Sequence, residues 1–186
     1  MKTFLTAITL TIAAPAAMAQ DMATEKVRAT SLVNYFGKTC LKYAPNVNSI
    51  AIWKDTLGLT EINSEPLNFF ELVYGLNVTN GKSQTLMGQT KQGVGIEIHL
   101  NEFTQDGFSY YGCSVGSPEV TSAATEAELR ATYGLPGDPV LDEKQSTLHH
   151  RMWNLGSEQD PQYFILIGNS NPDKPTVVVS NFGKRY

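Results

Sequence analysis

The stretch VGIEIHLNEFTQDGFSYYGCSVG, residues 94–116, constrains the fold more than any other part of this 186-residue chain. Val94, Ile96, Ile98 and Leu100 alternate with Gly95, Glu97, His99 and Asn101. Successive side chains of a strand point to opposite faces, so the alternation predicts a strand with one buried and one wet face. Asp106-Gly107 follows, a favoured two-residue link between antiparallel strands. With that pair as the turn, Gln105 faces Phe108 and the register of the hairpin is set. Leu100 then faces Cys113 toward the core, while His99 faces Ser114 on the other side, with Glu97 beside His99. Directly opposed side chains lie about 5 Å apart at Cβ. A hydroxyl, an imidazole and a carboxylate thus share one patch, the set that an activated nucleophile needs. The same residues are also what the solvated face of a sheet would carry.

Upstream, Ala29, Val33, Phe36, Cys40 and Tyr43 recur at spacings of four, three, four and three. That period predicts a helix over 24–43, ended by Pro45, with Cys40 turned into the core. Shorter helices are expected over 49–57, stopped by Gly58, and over 64–74, stopped by Gly75. Cys40 and Cys113 are the only cysteines. In an exported chain they are expected to form a disulfide. Export is indicated by Lys2, the apolar run from Phe4 to about Ala14, and Ala17-Met18-Ala19, which together follow the pattern of a signal peptide. The apolar run is shorter than the roughly 20 residues a spanning helix requires. Residues 1–19 are read as the signal peptide, cleaved after Ala19, and 20–186 as a single globular domain of the periplasm or the secreted space.

The remaining pattern is mostly strand. SQTLMGQT precedes the hairpin, and STLHHRMWNL, QYFILIGN and TVVVSNF follow it, separated by the turn-rich GSEQDP and SNPDKP. The continuous apolar run YFILI is read as a central strand buried on both sides. Between the two groups a helix is expected from Thr125, with Glu128 completing a capping box, to about Tyr133, where Gly134 stops it. A helix followed by strands occurs twice along the chain. The expected fold is α+β: an antiparallel sheet of five to seven strands, with N-terminal helices and one middle helix packed mainly on one face.

Gly112–Gly116 reads GCSVG and resembles the G-x-S-x-G nucleophile elbow of the α/β-hydrolases. In that family the serine sits on a sharp strand-to-helix turn, with an acid and then a histidine later in the chain. Asp138, Asp142, His149 and His150 do follow. Three features depart from the family. The strands before Ser114 are joined by a tight turn and run antiparallel, Pro118 and a Ser/Thr/Ala stretch separate Ser114 from the next helix, and no HGGG-type stretch lies upstream.

His149 and His150 are neighbours on an expected strand and point to opposite faces, and His99 is the only other histidine, so no metal set is expected. Gly81-Lys82-Ser83 lacks the first glycine of a P-loop, and no cofactor is expected. Asn77-Val78-Thr79 is a glycosylation sequon, relevant only in a eukaryotic secretory pathway. A formal net charge of −4 without a basic stripe argues against nucleic acid as a partner.

These observations point to an exported, soluble, disulfide-tied binding or interaction protein with an unidentified protein or small-molecule partner. An inhibitor of a partner enzyme is one form this could take. The candidate surface is Glu97, His99, Phe103, Tyr110 and Ser114, since the aromatics cluster on the same hairpin. The alternative is a small serine hydrolase using Ser114 with His99 and Glu97.

Overall fold

The apolar spacing of the first helix is realised in α1, Ala14–Phe36, which continues into a π-helical turn at Gly37–Leu41. The structure, a computed structural model of the chain, describes residues 14–41, 54, 56–62, 81–105, 107–157, 159 and 162–185. Ala29, Leu32, Val33, Phe36 and Cys40 are buried and form the stripe that faces the sheet. In the π turn the Thr39 hydroxyl donates to the Tyr35 carbonyl at 2.8 Å, which occupies a side chain that would otherwise be buried unpaired. Tyr43, Pro45, the sequon and the helix expected over 64–74 lie outside the described residues, as does most of the helix expected over 49–57.

Among the described residues, eight strands form one antiparallel sheet. They are β1 Thr60–Ile62, β2 Lys82–Gln89, β3 Gly95–Gln105, β4 Phe108–Thr121, β5 Leu141–Gln145, β6 Leu148–Asn154, β7 Gln162–Asn169 and β8 Pro175–Arg185. Their order across the sheet is β1-β2-β3-β4-β8-β7-β6-β5. The count exceeds the expected five to seven because the sequence reading missed the two edges. β1 is three residues long, and β5 reads LDEKQ, so neither shows the apolar alternation of a half-buried strand. Short and charged edge strands resist pairing with other chains.

The hairpin register holds as expected, with Gln105 paired to Phe108, Leu100 to Cys113 and His99 to Ser114. Gly107 has φ 77°, a conformation glycine adopts without steric cost. YFILI lies in β7, between β8 and β6, with Phe164 to Ile167 all buried.

A helix between the two groups of strands, α2, is Ser122–Tyr133. It starts earlier than expected. Thr121 is the N-cap, and its hydroxyl accepts the Ala124 N–H at 3.3 Å. Thr125 is instead buried in the first turn, with its hydroxyl donating to the Thr121 carbonyl. The expectation placed the cap at the later of two threonines because Glu128 follows Thr125 at capping-box spacing. The Thr121 N–H is taken by Glu25 of α1 at 2.7 Å, so one helix helps to cap the other. Gly134 closes α2 as expected, with φ 63° and its N–H donating to the Arg130 carbonyl.

Both helices pack on one face of the sheet. Phe36 of α1 meets Phe164 of β7 edge to face at 5.4 Å, and Tyr133 of α2 meets the same ring at 5.8 Å. Ile98, Leu100, Val115, Leu166, Val177 and Val179 complete this core. Cys40 and Cys113 are disulfide-bonded, with Cα atoms 5.3 Å apart, which fastens the end of α1 to the centre of the sheet. Among the described residues, β1–β4 follow α1 and β5–β8 follow α2, and the two groups of strands meet along the β4–β8 seam.

Candidate functional site

The face opposite the helices carries the residues singled out by the hairpin register. Pairing sets Thr85 of β2, His99 of β3, Ser114 of β4 and Ser180 of β8 in one row across four strands. Glu97 stands two residues from His99 on the same face, and its Oε1 lies 3.3 Å from His99 Nε2. The other ring nitrogen, Nδ1, is 3.1 Å from the Thr85 hydroxyl. Both imidazole nitrogens are therefore held within β2 and β3. The Thr85 hydroxyl and Nδ1 share a hydrogen bond whose direction follows the tautomer, while Glu97 lies at ion-pair distance from Nε2.

Burial pushes the His99 imidazole below its ordinary value of 6.5, and the nearby Glu97 carboxylate opposes the shift in part. Burial does the same to His150 on β6, with Glu143 opposing the shift and His149 adding to it. Below pH 6.5 the unfolded chain binds protons that these folded-state rings resist, so stability falls as pH drops and levels off beneath the folded-state values. We expect urea midpoints to decline from pH 7.5 to pH 5 and the decline to shrink in His99→Gln. An unchanged slope in that variant would remove His99 from the account.

Ser114 is 2% exposed and lies in the interior of β4. The chain stays extended beyond it to Thr121, and the helix begins only at Ser122. GCSVG is therefore a strand segment in an antiparallel sheet and not a strand-to-helix elbow. The register brings Ser114, His99 and Glu97 side by side, but the imidazole is hydrogen-bonded away from the serine. Phe103 and Tyr110 lie at the other end of the hairpin. Phe103 is 4% exposed, and its ring stacks on Tyr110 at 5.1 Å and on Phe182 at 6.2 Å. Tyr163 extends the stack from β7, 6.4 Å from Phe182. Rings stacked on one another across strands present their edges outward, so this end of the face is a cross-strand packing cluster.

The open part of the face is a cleft of about 400 Å³ at the Glu97 end. Met87, Gly116, Pro118 and Val178 line it together with Glu97 and His99. Its shape comes from a break in the sheet. The β4–β8 register shifts between Ser117 and Thr121, and Pro118 falls in that break. A proline in a central strand is accommodated only at such an irregularity. On the facing strand, Thr176 has φ 139°. That value is a true outlier for a β-branched residue, and such strain gathers at binding and switch sites. Glu119 brings a second carboxylate to this end, with Oε1 2.9 Å from the point a Cβ on Gly95 would occupy. Thr85, Thr176 and Glu119 escaped the sequence reading. Thr85 was within reach through the β2–β3 register, had Gly93 (φ 75°) been read as the turn residue it is.

No protein-family model matches the chain, and no curated protein or solved structure matches it with significance.

His149 and His150 do point to opposite faces. His149 pairs with Asp142 on the helix side, and His150 is buried on the other. Among the described residues, no three histidine, cysteine or acidic side chains converge as metal ligands. No helix among them is long and apolar enough to cross a membrane.

Proposed function

We propose that this chain is an exported binding protein that holds its partner in the cleft beside Glu97 and His99. The observation that carries the reading is the half-exposed Glu97 carboxylate, fixed by His99 at the rim of an apolar-walled cleft of about 400 Å³. Concave apolar walls with a few placed polar groups are the usual form of a ligand site. With Glu97 and Glu119 both at this end, the ligand class that fits is a cation on an apolar stem, such as a primary ammonium of a small molecule or a lysine side chain. The disulfide supports export, since such bonds persist in oxidising compartments.

The test is a titration of the oxidised protein with n-butylammonium, followed by amide chemical shifts. Saturable shifts at Glu97, His99, Gly116 and Val178 are expected. In Glu97→Gln the affinity should fall about tenfold, the loss typical for one charge-assisted contact. Shifts that Glu97→Gln leaves unchanged, or none at these amides, would overturn the reading. Fluorophosphonate treatment is expected to leave Ser114 unmodified. A single adduct that Ser114→Ala removes would replace the binding reading with the serine hydrolase that uses His99 and Glu97.

A further inference from the structure

On the helix side of the sheet, between α2 and the β5–β6 edge, a second cleft of about 400 Å³ is lined by Ala127, Lys144, His149, Arg151 and Ser170, with Glu126 and Arg130 beside them. The chain is acidic as a whole, yet this cleft gathers two arginines and a lysine against two carboxylates, Glu126 and Asp142. Each group can be followed to its partners. Arg130 is fully used. Its Nε and Nη2 hold Glu126 at 2.9 and 2.7 Å, its Nη1 and Nη2 donate to the Pro136 and Gly137 carbonyls, and its plane lies over Trp153. Asp142 is taken by His149. Glu126 also contacts Arg151 through Nη1.

The other edge of Arg151 is different. Nε and Nη2 are buried, and no hydrogen-bond acceptor among the described residues meets either. Those two N–H groups form the side-on fork that pairs in a bidentate manner with a carboxylate or a phosphate. A buried donor left without an acceptor is costly, and burial accordingly pushes the Arg151 guanidinium below its ordinary value. Glu126 bridges the two arginines, with Oε1 on Arg130 and Oε2 on Arg151 Nη1, so one carboxylate serves two guanidinium groups. Lys144, which pairs across the hairpin with His149 and is exposed, adds a positive charge at the mouth.

We propose that this cleft is an oxyanion-binding site, in which the free fork of Arg151 grips a carboxylate or phosphate and Lys144 closes on it from solvent. Because the fork is buried at rest, the guanidinium must rotate toward the cleft as the anion enters, leaving Glu126 paired with Arg130. Ala123 and Ala127 leave room on the α2 side.

The experiment titrates the oxidised full chain with inorganic phosphate and, in a separate arm, with acetate, at ionic strength held constant with sodium chloride. Amide shifts are the readout. Saturable shifts at Ala127, Lys144, Arg151 and Ser170 are expected in at least one arm, and the arm that binds more tightly names the anion class. Arg151→Met should weaken binding about tenfold or more, and Lys144→Gln, at an exposed site that does not threaten folding, several-fold. Shifts no larger than chloride produces, or shifts that Lys144→Gln and a folded Arg151→Met both retain, overturn the proposal.

Discussion

Replacing Cys40 and Cys113 together by alanine should cost about 4 kcal/mol, the chain-entropy value for a closed loop of this size. The bond joins residues 73 apart in sequence, so the unfolded chain gains a great deal of freedom when it is lost. For a chain of this length, about 4 kcal/mol corresponds to a fall in Tm of roughly 8–16 °C. Urea denaturation with and without reductant checks the figure on the unmutated protein. The denaturant slope should also rise, because the uncrosslinked unfolded state is more expanded. A loss below about 1 kcal/mol would mean that the loop retains structure when unfolded. The bond also fixes the end of α1 over the sheet, where the Asn181 side chain donates to the Cys40 carbonyl, so the π turn should be the first part to loosen on reduction.

Phe36→Ala is expected to destabilise by about 3–5 kcal/mol, the usual range for deleting a buried aromatic ring. Phe36 is fully buried. Its ring joins three elements, because it meets Phe164 of β7 and that ring in turn meets Tyr133 of α2. Removing it opens a cavity where both helices converge on the sheet. Val27, on the same helix but 55% exposed, is the control, and Val27→Ser should change stability by no more than about 0.5 kcal/mol. Equilibrium unfolding of the two variants separates a packing effect from a general loss of helix propensity. Similar losses in both would mean that α1 is held by propensity and not by its buried stripe.

The parts of the fold that could be read from the chain are those where one face is buried. Ile96, Ile98 and Leu100 betray β3 because burial forces their alternation, and Asp106-Gly107 then fixes every partner on β4. The edges were hidden for the opposite reason. Leu141 to Gln145 need not alternate, since an edge strand over solvent has little to bury. The cap of α2 was misplaced because Glu128 gives Thr125 capping-box spacing, whereas Thr121, with Ala124 three residues on, caps without an acidic partner. The candidate site was half legible. Glu97 and His99 follow from hairpin register, but the cleft beside them depends on a break between β4 and β8, strands far apart in sequence. Arg151 gave no local signal, because its partner Glu126 lies on a helix that the chain only later brings over β6.

The position of β8 has a consequence for how the chain comes together. β2 to β4 and β5 to β8 each follow one another in both sequence and sheet, but β8, the last of the described strands, occupies the middle of the sheet. Until Pro175–Arg185 docks, β4 and β7 both present unpaired backbone along their length, and such edges recruit strands from other molecules. A chain cut before Pro175 would therefore consist of two half-sheets with their stickiest edges outward, more prone to clump than to function. The centre of the sheet therefore cannot close until β8 has joined β4 on one side and β7 on the other.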